Sequence, residues 1–167
     1  MPPKPLIDRA RRGPFDELWT PAEALNLLLP HISKRNRIWE CAPGSGVLVR
    51  ALRVAGYKVE YRDPADYFTD KPLGSVTVTN PPFSKKAQFL RRANELGYPF
   101  AFLLPVSSPG SRECQREMEG TQLIYLPRRI DFTGKGRPWF AVMWVTKGLE
   151  IHYGDDDYPQ LIFPEEE

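Results

Sequence analysis

Residues 37–62 read RIWECAPGSGVLVRALRVAGYKVEYR, and this stretch decides the fold that we expect for the chain of 167 residues. It divides into an apolar run, a glycine turn, an amphipathic segment and a second β-rich run, at 37–41, 44–46, 47–55 and 57–62. Apolar residues recur at helical spacing in the third segment, and Gly56 supplies the left-handed residue that commonly ends a helix. The order strand, helix, strand predicts a βαβ unit with two parallel strands.

The alternation of apolar runs and helical segments continues on both sides of this unit. After it we expect a strand, a helix and a strand at 76–79, 85–96 and 99–104. Before it, residues 22–29 have helical spacing and end at Pro30. Thr20 is expected to cap this helix and Pro21 to occupy its first position. Such alternation favours a mostly parallel sheet that helices cover on both faces.

The last third of the chain is richer in β-forming residues. The runs 122–126 and 139–145 predict an antiparallel hairpin appended to the parallel sheet, with 127–138 as its loop. The polar stretch 105–120 contains Ser-Ser-Pro-Gly-Ser and predicts a mobile segment with weak local structure.

The length suits one domain with its own core. We assign residues 15–154 to a single α/β domain, 1–14 to a basic, proline-rich flexible arm, and 155–167 to an acidic tail. Six of the 21 acidic residues lie in that tail, which has no Lys or Arg, so residues 1–154 carry 23 basic against 15 acidic side chains, a net charge of +8. An excess of this size favours a polyanionic partner, although it is also compatible with a merely solvated basic surface.

Several functional classes are disfavoured by composition. No apolar run approaches the ~20 residues that a membrane span needs. The two cysteines and two histidines lack metal-ligand spacing, so we expect no metal site. The amino end does not resemble an export signal, and we therefore expect a cytoplasmic protein.

The loop at 40–46, Glu-Cys-Ala-Pro-Gly-Ser-Gly, lies where the first strand gives way to a helix. Glycines at such a position let a ligand approach the backbone, at the strand ends where open sheets bind ligands. Asp63 follows the next strand, where a carboxylate can accept hydrogen bonds from both hydroxyls of a ribose. Together the loop and Asp63 favour an adenosine-containing cofactor over a purely structural turn.

Asn80-Pro81-Pro82-Phe83 follows the third strand. The prolines stiffen the backbone, so that the Asn80 side chain and nearby carbonyls project into the crevice. The side-chain oxygen of Asn80 and the carbonyl of Pro81 can accept both hydrogens of an aromatic amine, while Phe83 can stack on its ring. A proline-stiffened turn with an aromatic plug is the alternative.

The order of these motifs over residues 15–146 resembles the S-adenosylmethionine-dependent adenine-N6 methyltransferases that act on DNA. The resemblance implies a single Rossmann-like class I methyltransferase domain, and it is most specific at Asn80-Pro81-Pro82-Phe83. It implies catalytic roles for those four residues and cofactor contacts from Thr20, Pro21, Glu40, Ala42, Gly44, Gly46, Asp63, Asp66, Tyr67, Phe68 and Asn80. Family members often have proline where this chain has Cys41.

The resemblance implies DNA as the partner, and compact single-domain enzymes of this kind resemble those encoded by phages. We expect the target adenine to be flipped out or single-stranded, because N6 is hidden in the duplex stack. Besides Phe83, the predicted substrate contacts are basic residues of the last third, namely Arg112, Arg116, Arg128, Arg129, Lys135 and Arg137. Since no separate recognition domain is present, we expect low or short sequence specificity, from a monomer or a homodimer.

Other functions remain open. The same chemistry could act on RNA adenine or on a protein glutamine, whose amide nitrogen poses the same geometric problem. The chain could also be a non-catalytic nucleic-acid-binding subunit that keeps the fold. A nicotinamide-dependent enzyme is disfavoured because the third glycine of the dinucleotide fingerprint is absent.

Overall fold

The computed structural model describes residues 22–126, 129 and 140–151, with the side chains of Ala22 and Glu23 left out. Six strands are present in this part of the chain: β1 Arg37–Trp39, β2 Lys58–Glu60, β3 Val76–Thr79, β4 Phe100–Pro105, β5 Gln122–Tyr125 and β6 Val142–Lys147. The α-helices here are α1 Val47–Val54, α2 Lys86–Leu96 and α3 Arg112–Glu117. Short 3-10 helices lie at Ala22–Leu25, Leu29–His31, Phe83–Lys85 and Ser108–Gly110. No helix of the described residues has the length and apolar character that crossing a membrane requires.

The six strands form one sheet in the order β2-β1-β3-β4-β6-β5. β1 pairs in parallel with β2 and β3, and β3 pairs in parallel with β4. β6 is antiparallel to both of its neighbours, β4 and β5, so β5 runs in the same direction as β1 to β4. The mostly parallel α/β sheet expected from the sequence is confirmed.

The prediction of an antiparallel hairpin appended to the parallel sheet is confirmed. β5 and β6 pair antiparallel, and the pair is added to the parallel part of the sheet at β4, with β6 next to β4 and β5 at the edge. Val142 to Val145 are all buried, because both faces of the sheet are covered and β6 has hydrogen-bonded partners on both sides. This agrees with its interior position in the sheet.

Each face of the sheet has its own core. One core contains Ile38, Leu52 and Trp144 and is covered by α1 and the first 3-10 turns. The other contains Trp39, Phe89 and Cys114 and is covered by α2 and α3. Because chain connections between parallel strands are right-handed, a reversal of strand order after β2 sends the following helices to the opposite face. That reversal lies between β1 and β3.

The predicted helix at 22–29 is wrong in type, because the segment forms two 3-10 turns. An α-helix would bond the Leu28 amide to the Ala24 carbonyl, but that amide instead donates to Leu25 at 3.0 Å. The Ala24 carbonyl accepts the indole N–H of Trp144 at 2.6 Å. Pro30 has no N–H to continue an α-helical ladder, and it lies within the second turn instead of ending the segment. Thr20 and Pro21 lie outside the described residues.

The prediction of weak local structure at 105–120 is also wrong, since this segment contains a 3-10 turn and α3. The side chain of Ser111 caps α3 by accepting the amide of Cys114, and Cys114 is fully buried. The carbonyl of Glu117 accepts the side-chain amide of Asn94 at 2.9 Å, which attaches the end of α3 to α2. Burial of one residue and a contact with α2 thus stabilise a helix that is too short to form alone.

Candidate active site

The loops after β1 and β3 meet at the point where the strand order of the sheet reverses. β1 and β3 are hydrogen-bonded neighbours, with Trp39 opposite Thr77. Glu40 and Asn80 follow the last residues of these two strands, so both sequence motifs begin at the same edge of the sheet. In open α/β sheets the crevice at this reversal is where ligands bind.

The glycine loop adopts the backbone geometry that its sequence predicts. Gly44 and Gly46 have φ angles of +50° and +75°, a region that side-chain-bearing residues rarely adopt. The amide of Gly46 donates to the carbonyl of Pro43 at 2.7 Å, which closes the turn. No heavy atom lies within 4 Å of where a Cβ on Gly44 would stand, so the space above the turn is open.

Glu40 is buried beneath this loop. Only 1% of the residue is exposed, and a carboxylate oxygen accepts the amide of Ala42 at 2.9 Å. None of the ion pairs of the described residues involves Glu40. Burial raises the pKa of its carboxyl to about 7, although the Thr79 hydroxyl and the Ala42 amide act in the opposite direction. Glu40 is therefore a buried acid without a cationic partner in the described part of the chain.

Thr79 is a site residue that the sequence analysis missed. It is the last residue of β3, it is fully buried, and its hydroxyl faces the Glu40 carboxyl. Its Oγ1 has no hydrogen bond of normal geometry to any residue that the structure describes. The signal that could have identified Thr79 was a polar residue directly before Asn80. That signal is weak, because β-branched threonine is common in strands that have no functional role. Thr79 lies between the acid of the glycine loop and the asparagine of the second motif.

Cys41 next to Glu40 is also buried, and burial raises the pKa of its thiol well above the ordinary value. A thiol in such surroundings remains protonated and is a poor nucleophile. The structure is consistent with Cys41 as a packing residue of the loop.

The segment after β2 contains both exposed and buried candidates. Asp63 and Asp66 are exposed, and Asp66 accepts the amide of Phe68 at 3.0 Å. Tyr67 is 2% exposed and stacks on Phe89, with ring centroids 4.7 Å apart. Phe68 is 38% exposed. Of the two aromatic residues expected to border a cofactor adenine, only Phe68 presents substantial surface.

Asn80-Pro81-Pro82-Phe83 leads from β3 into a 3-10 turn and then into α2. Asn80 and Phe83 are half-buried, and Pro81 is buried. The Phe83 ring meets the ring of Phe140 edge to face at 5.5 Å. This contact joins the motif to the residues just before β6, on the side of the crevice where β4 and β6 lie.

The structure describes some of the basic residues that we predict to contact the substrate and leaves others out. Arg112 and Arg116 are exposed on α3, which follows β4 from the same edge of the sheet, and Arg129 is exposed. Arg128, Lys135 and Arg137 lie outside the described residues. The described part of the chain contains no group of three residues able to hold a metal ion.

These residues fit the cofactor that the sequence resemblance implies. A buried carboxyl without a cationic partner suits a positively charged ligand, and the space above Gly44 leaves room for one. Asp63 is exposed at the end of the adjacent strand, where it is free to accept ribose hydroxyls. The roles assigned to these side chains remain predictions.

Comparison with known proteins identifies the fold. No protein-family model matches the sequence, and no similar curated protein was found. Among solved structures, the chain is similar to a protein from Pyrococcus horikoshii described as a "putative RNA methyltransferase", with a TM-score of 0.50 and 15% identity, over 75% of this chain and 80% of that one. It also matches a "predicted O-methyltransferase" from Agrobacterium tumefaciens with a TM-score of 0.44 and 16% identity, over 77% and 81% of the two chains. The fold is that of the Rossmann-like methyltransferases.

Proposed function

We propose that this protein transfers a methyl group from S-adenosylmethionine to the N6 amine of adenine in DNA, with low or short sequence specificity. One observation carries the proposal: Glu40 with its glycine turn and Asn80-Pro81-Pro82-Phe83 follow hydrogen-bonded neighbouring strands and begin at one crevice. The first motif suits a cationic, adenosine-containing cofactor, and the second suits an aromatic amine. Their meeting brings a methyl donor and a methyl acceptor within one site.

The cofactor supplies an electrophilic methyl group on a sulfonium. Glu40 would bind its positively charged portion, and Asp63 would accept its ribose hydroxyls. Gly44 leaves room for it above the backbone. These contacts would hold the methyl group toward the loop after β3. Holding the reacting groups in the right geometry accelerates the reaction.

Asn80 and Pro81 would prepare the acceptor. The adenine amine is a poor nucleophile because its lone pair is delocalised into the ring. Hydrogen bonds from N6 to the side-chain oxygen of Asn80 and the carbonyl of Pro81 would turn that lone pair toward the methyl group. With the donor bound, the amine lone pair would form the N–C bond as the electron pair of the C–S bond goes to sulfur, and one amine proton would leave to solvent. Pro82 stiffens the turn, and Phe83 would stack on the extruded base.

Transfer of labelled methyl groups tests this proposal. Purified protein with radiolabelled S-adenosylmethionine is offered single-stranded and duplex DNA, and the labelled base is identified by chromatography. We expect N6-methyladenine, and we expect Asn80→Ala to lower the rate by about 10²- to 10³-fold while the thermal unfolding curve is kept. Lys58→Gln, on the exposed start of β2, is the control that retains full activity. Full activity of Asn80→Ala would contradict the mechanism.

RNA adenine is the second candidate acceptor, because the structural neighbour from Pyrococcus horikoshii is described as a "putative RNA methyltransferase". An RNA of the same sequence and a glutamine-containing peptide are therefore included in the assay. If the label appears in the RNA or the peptide and not in the DNA, the acceptor that we propose is wrong but the methyl-transfer chemistry stands. Calorimetry that detects no S-adenosylmethionine binding at millimolar concentration would instead favour a non-catalytic subunit.

A further inference from the structure

A groove beside α2 contains five residues that the proposed methyl transfer does not use, and it shares Phe68 with the predicted cofactor contacts. Its volume is about 470 Å³, and its lining residues are Phe68, Lys85, Gln88, Arg91, Arg92 and Glu95. Five of these six residues lie on α2 or directly before it, at the three- and four-residue spacing that places side chains on one face of a helix. The groove is thus an extended feature parallel to the helix axis.

The groove begins beside the candidate acceptor site. Lys85 is the second residue after Phe83, in the same 3-10 turn. From Lys85 to Glu95 the helix rises by about 15 Å. One end of the groove thus lies close in the chain to the turn that contains Phe83.

Three lining side chains are basic and one is acidic, while Glu113 and Glu117 of α3 lie on the Arg91 side of the groove. Arg91 pairs with Glu117 at 3.0 Å and Arg92 with Glu95 at 3.7 Å. The Arg91 and Glu95 side chains are more than half exposed, and exposed ion pairs are weak, so a phosphate can compete with these carboxylates.

An exposed aromatic ring lies at one end of the groove. Phe68 is 38% exposed, and the ammonium of Lys85 stands 5.9 Å from the centre of its ring. Because the sequence resemblance assigns Phe68 to the cofactor adenine, this ring marks the boundary between the groove and the cofactor side of the site.

We propose that this groove binds the backbone of the single nucleic-acid strand that flanks the target base. Lys85, Arg91 and Arg92 contact its phosphates, and Gln88 lies between them. The inference rests on the proposed function, and it adds the path of the substrate strand and three contacts that the sequence analysis did not assign. DNA and RNA share the phosphodiester chemistry, so the two sources are separated by experiment.

Gln88→Glu tests the groove, because it replaces an amide by a carboxylate of the same shape and removes no cation. Fluorescence anisotropy with labelled single-stranded DNA and RNA oligonucleotides of one sequence measures affinity. We expect Gln88→Glu to weaken binding by about 5- to 10-fold at low salt and Gln88→Lys to strengthen it. Lys58→Gln changes the net charge by the same amount as Gln88→Glu but lies at the opposite end of its strand from the site, and it should bind like the parent.

Salt dependence provides a second readout. Each single-strand phosphate contact contributes about 0.7 to the slope of log affinity against log salt, so Lys85→Ala should lower the slope by about that amount. If the slope is unchanged in Lys85→Ala, or if Gln88→Glu and Lys58→Gln lose the same amount of oligonucleotide affinity, the groove is not the binding surface.

The outcomes separate this inference from the proposed function. If the groove variants bind like the parent and adenine methylation proceeds, the groove inference fails and the proposed function stands. If the parent binds S-adenosylmethionine but neither oligonucleotide, the groove inference and the nucleic-acid substrate both fail. Tighter, groove-dependent binding of the RNA would support the groove and replace DNA as the proposed substrate.

Discussion

Glu40 and Asp63 follow two neighbouring strands, yet the structure gives these acids opposite surroundings. β1 lies inside the sheet, so Glu40 is 1% exposed and its amide bonds to the carbonyl of Glu60 at 3.0 Å. β2 is the edge strand, and Asp63 after it is exposed. Similar carboxyl groups at adjacent strand ends therefore differ in what they can do. The buried acid is coupled to the stability of the protein, whereas the exposed acid can contact a ligand at little cost.

The largest expected effect is a gain of stability in Glu40→Gln at alkaline pH. The carboxyl has a pKa of about 7 in the folded protein against an ordinary value of 4.5, so the folded state favours the protonated form. The stability of the parent protein is therefore highest, as far as Glu40 is concerned, below about pH 4.5. It falls as the pH rises through 7, by about 3 kcal/mol in total. A neutral glutamine avoids this cost. Urea unfolding should show Glu40→Gln more stable than the parent by up to about 3 kcal/mol at pH 8.5, with little difference at pH 4.5.

The same variant should bind the cofactor poorly. Loss of the carboxylate removes the partner of a cationic ligand, and we expect calorimetry to show S-adenosylmethionine affinity reduced by about 100-fold. A stabilised Glu40→Gln protein with parental affinity would show that Glu40 is only a buried structural residue.

Asp63→Asn should reduce cofactor affinity less than Glu40→Gln does. An amide oxygen still accepts one ribose hydroxyl, but without the strength of a charge-assisted bond, so the affinity should fall by about 10-fold. Calorimetry measures the affinity, and unfolding at the same two pH values provides the comparison with Glu40→Gln. Parental affinity would remove Asp63 from the cofactor site.

Thr79→Val tests whether the hydroxyl between the two motifs positions Glu40. The hydroxyl lowers the pKa of Glu40, so its removal should shift the pH profile of S-adenosylmethionine binding upward from about 7. Near neutral pH we expect an affinity loss of about 3-fold, which Thr79→Ser should restore. A merely structural role would reduce stability without moving the profile.

Tyr67→Phe should have the smallest effect. The Tyr67 hydroxyl is buried, and it has no hydrogen-bond partner in the described part of the chain. Removing it should be neutral or raise the free energy of unfolding by about 1 kcal/mol, because an unsatisfied buried hydroxyl is costly. Thermal unfolding measures this change. Weaker cofactor binding in this variant would show that the hydroxyl faces the ligand.

Most elements of the fold were predictable because local sequence and tertiary structure agree on them. Val76–Thr79 is a strand with the predicted bounds, and α1 and α2 end at the predicted glycines, with φ of +87° at Gly56 and +69° at Gly97. The segment 22–29 was not predictable, because the Trp144 indole takes a carbonyl that an α-helix would use. That contact joins residues 120 positions apart, beyond any local pattern.

The candidate site was predictable in its motifs and not in its surroundings. The glycine turn and Asn80-Pro81-Pro82-Phe83 are recognisable locally because backbone conformation depends on adjacent residues. The contact of Thr79 with Glu40 and the groove beside α2 depend on which strands and helices are neighbours.

The sequence alone determined the alternation of strands and helices, the two motif loops and the basic character of residues 1–154, since each is a property of neighbouring residues or of composition. Only the tertiary structure decided that β6 is inserted between β4 and β5, that Glu40 is buried and Asp63 exposed, and that α2 presents a basic groove. The physical reason is that burial and pairing depend on contacts between residues far apart in the chain, and those contacts set the pKa of the acid and the accessibility of each side chain.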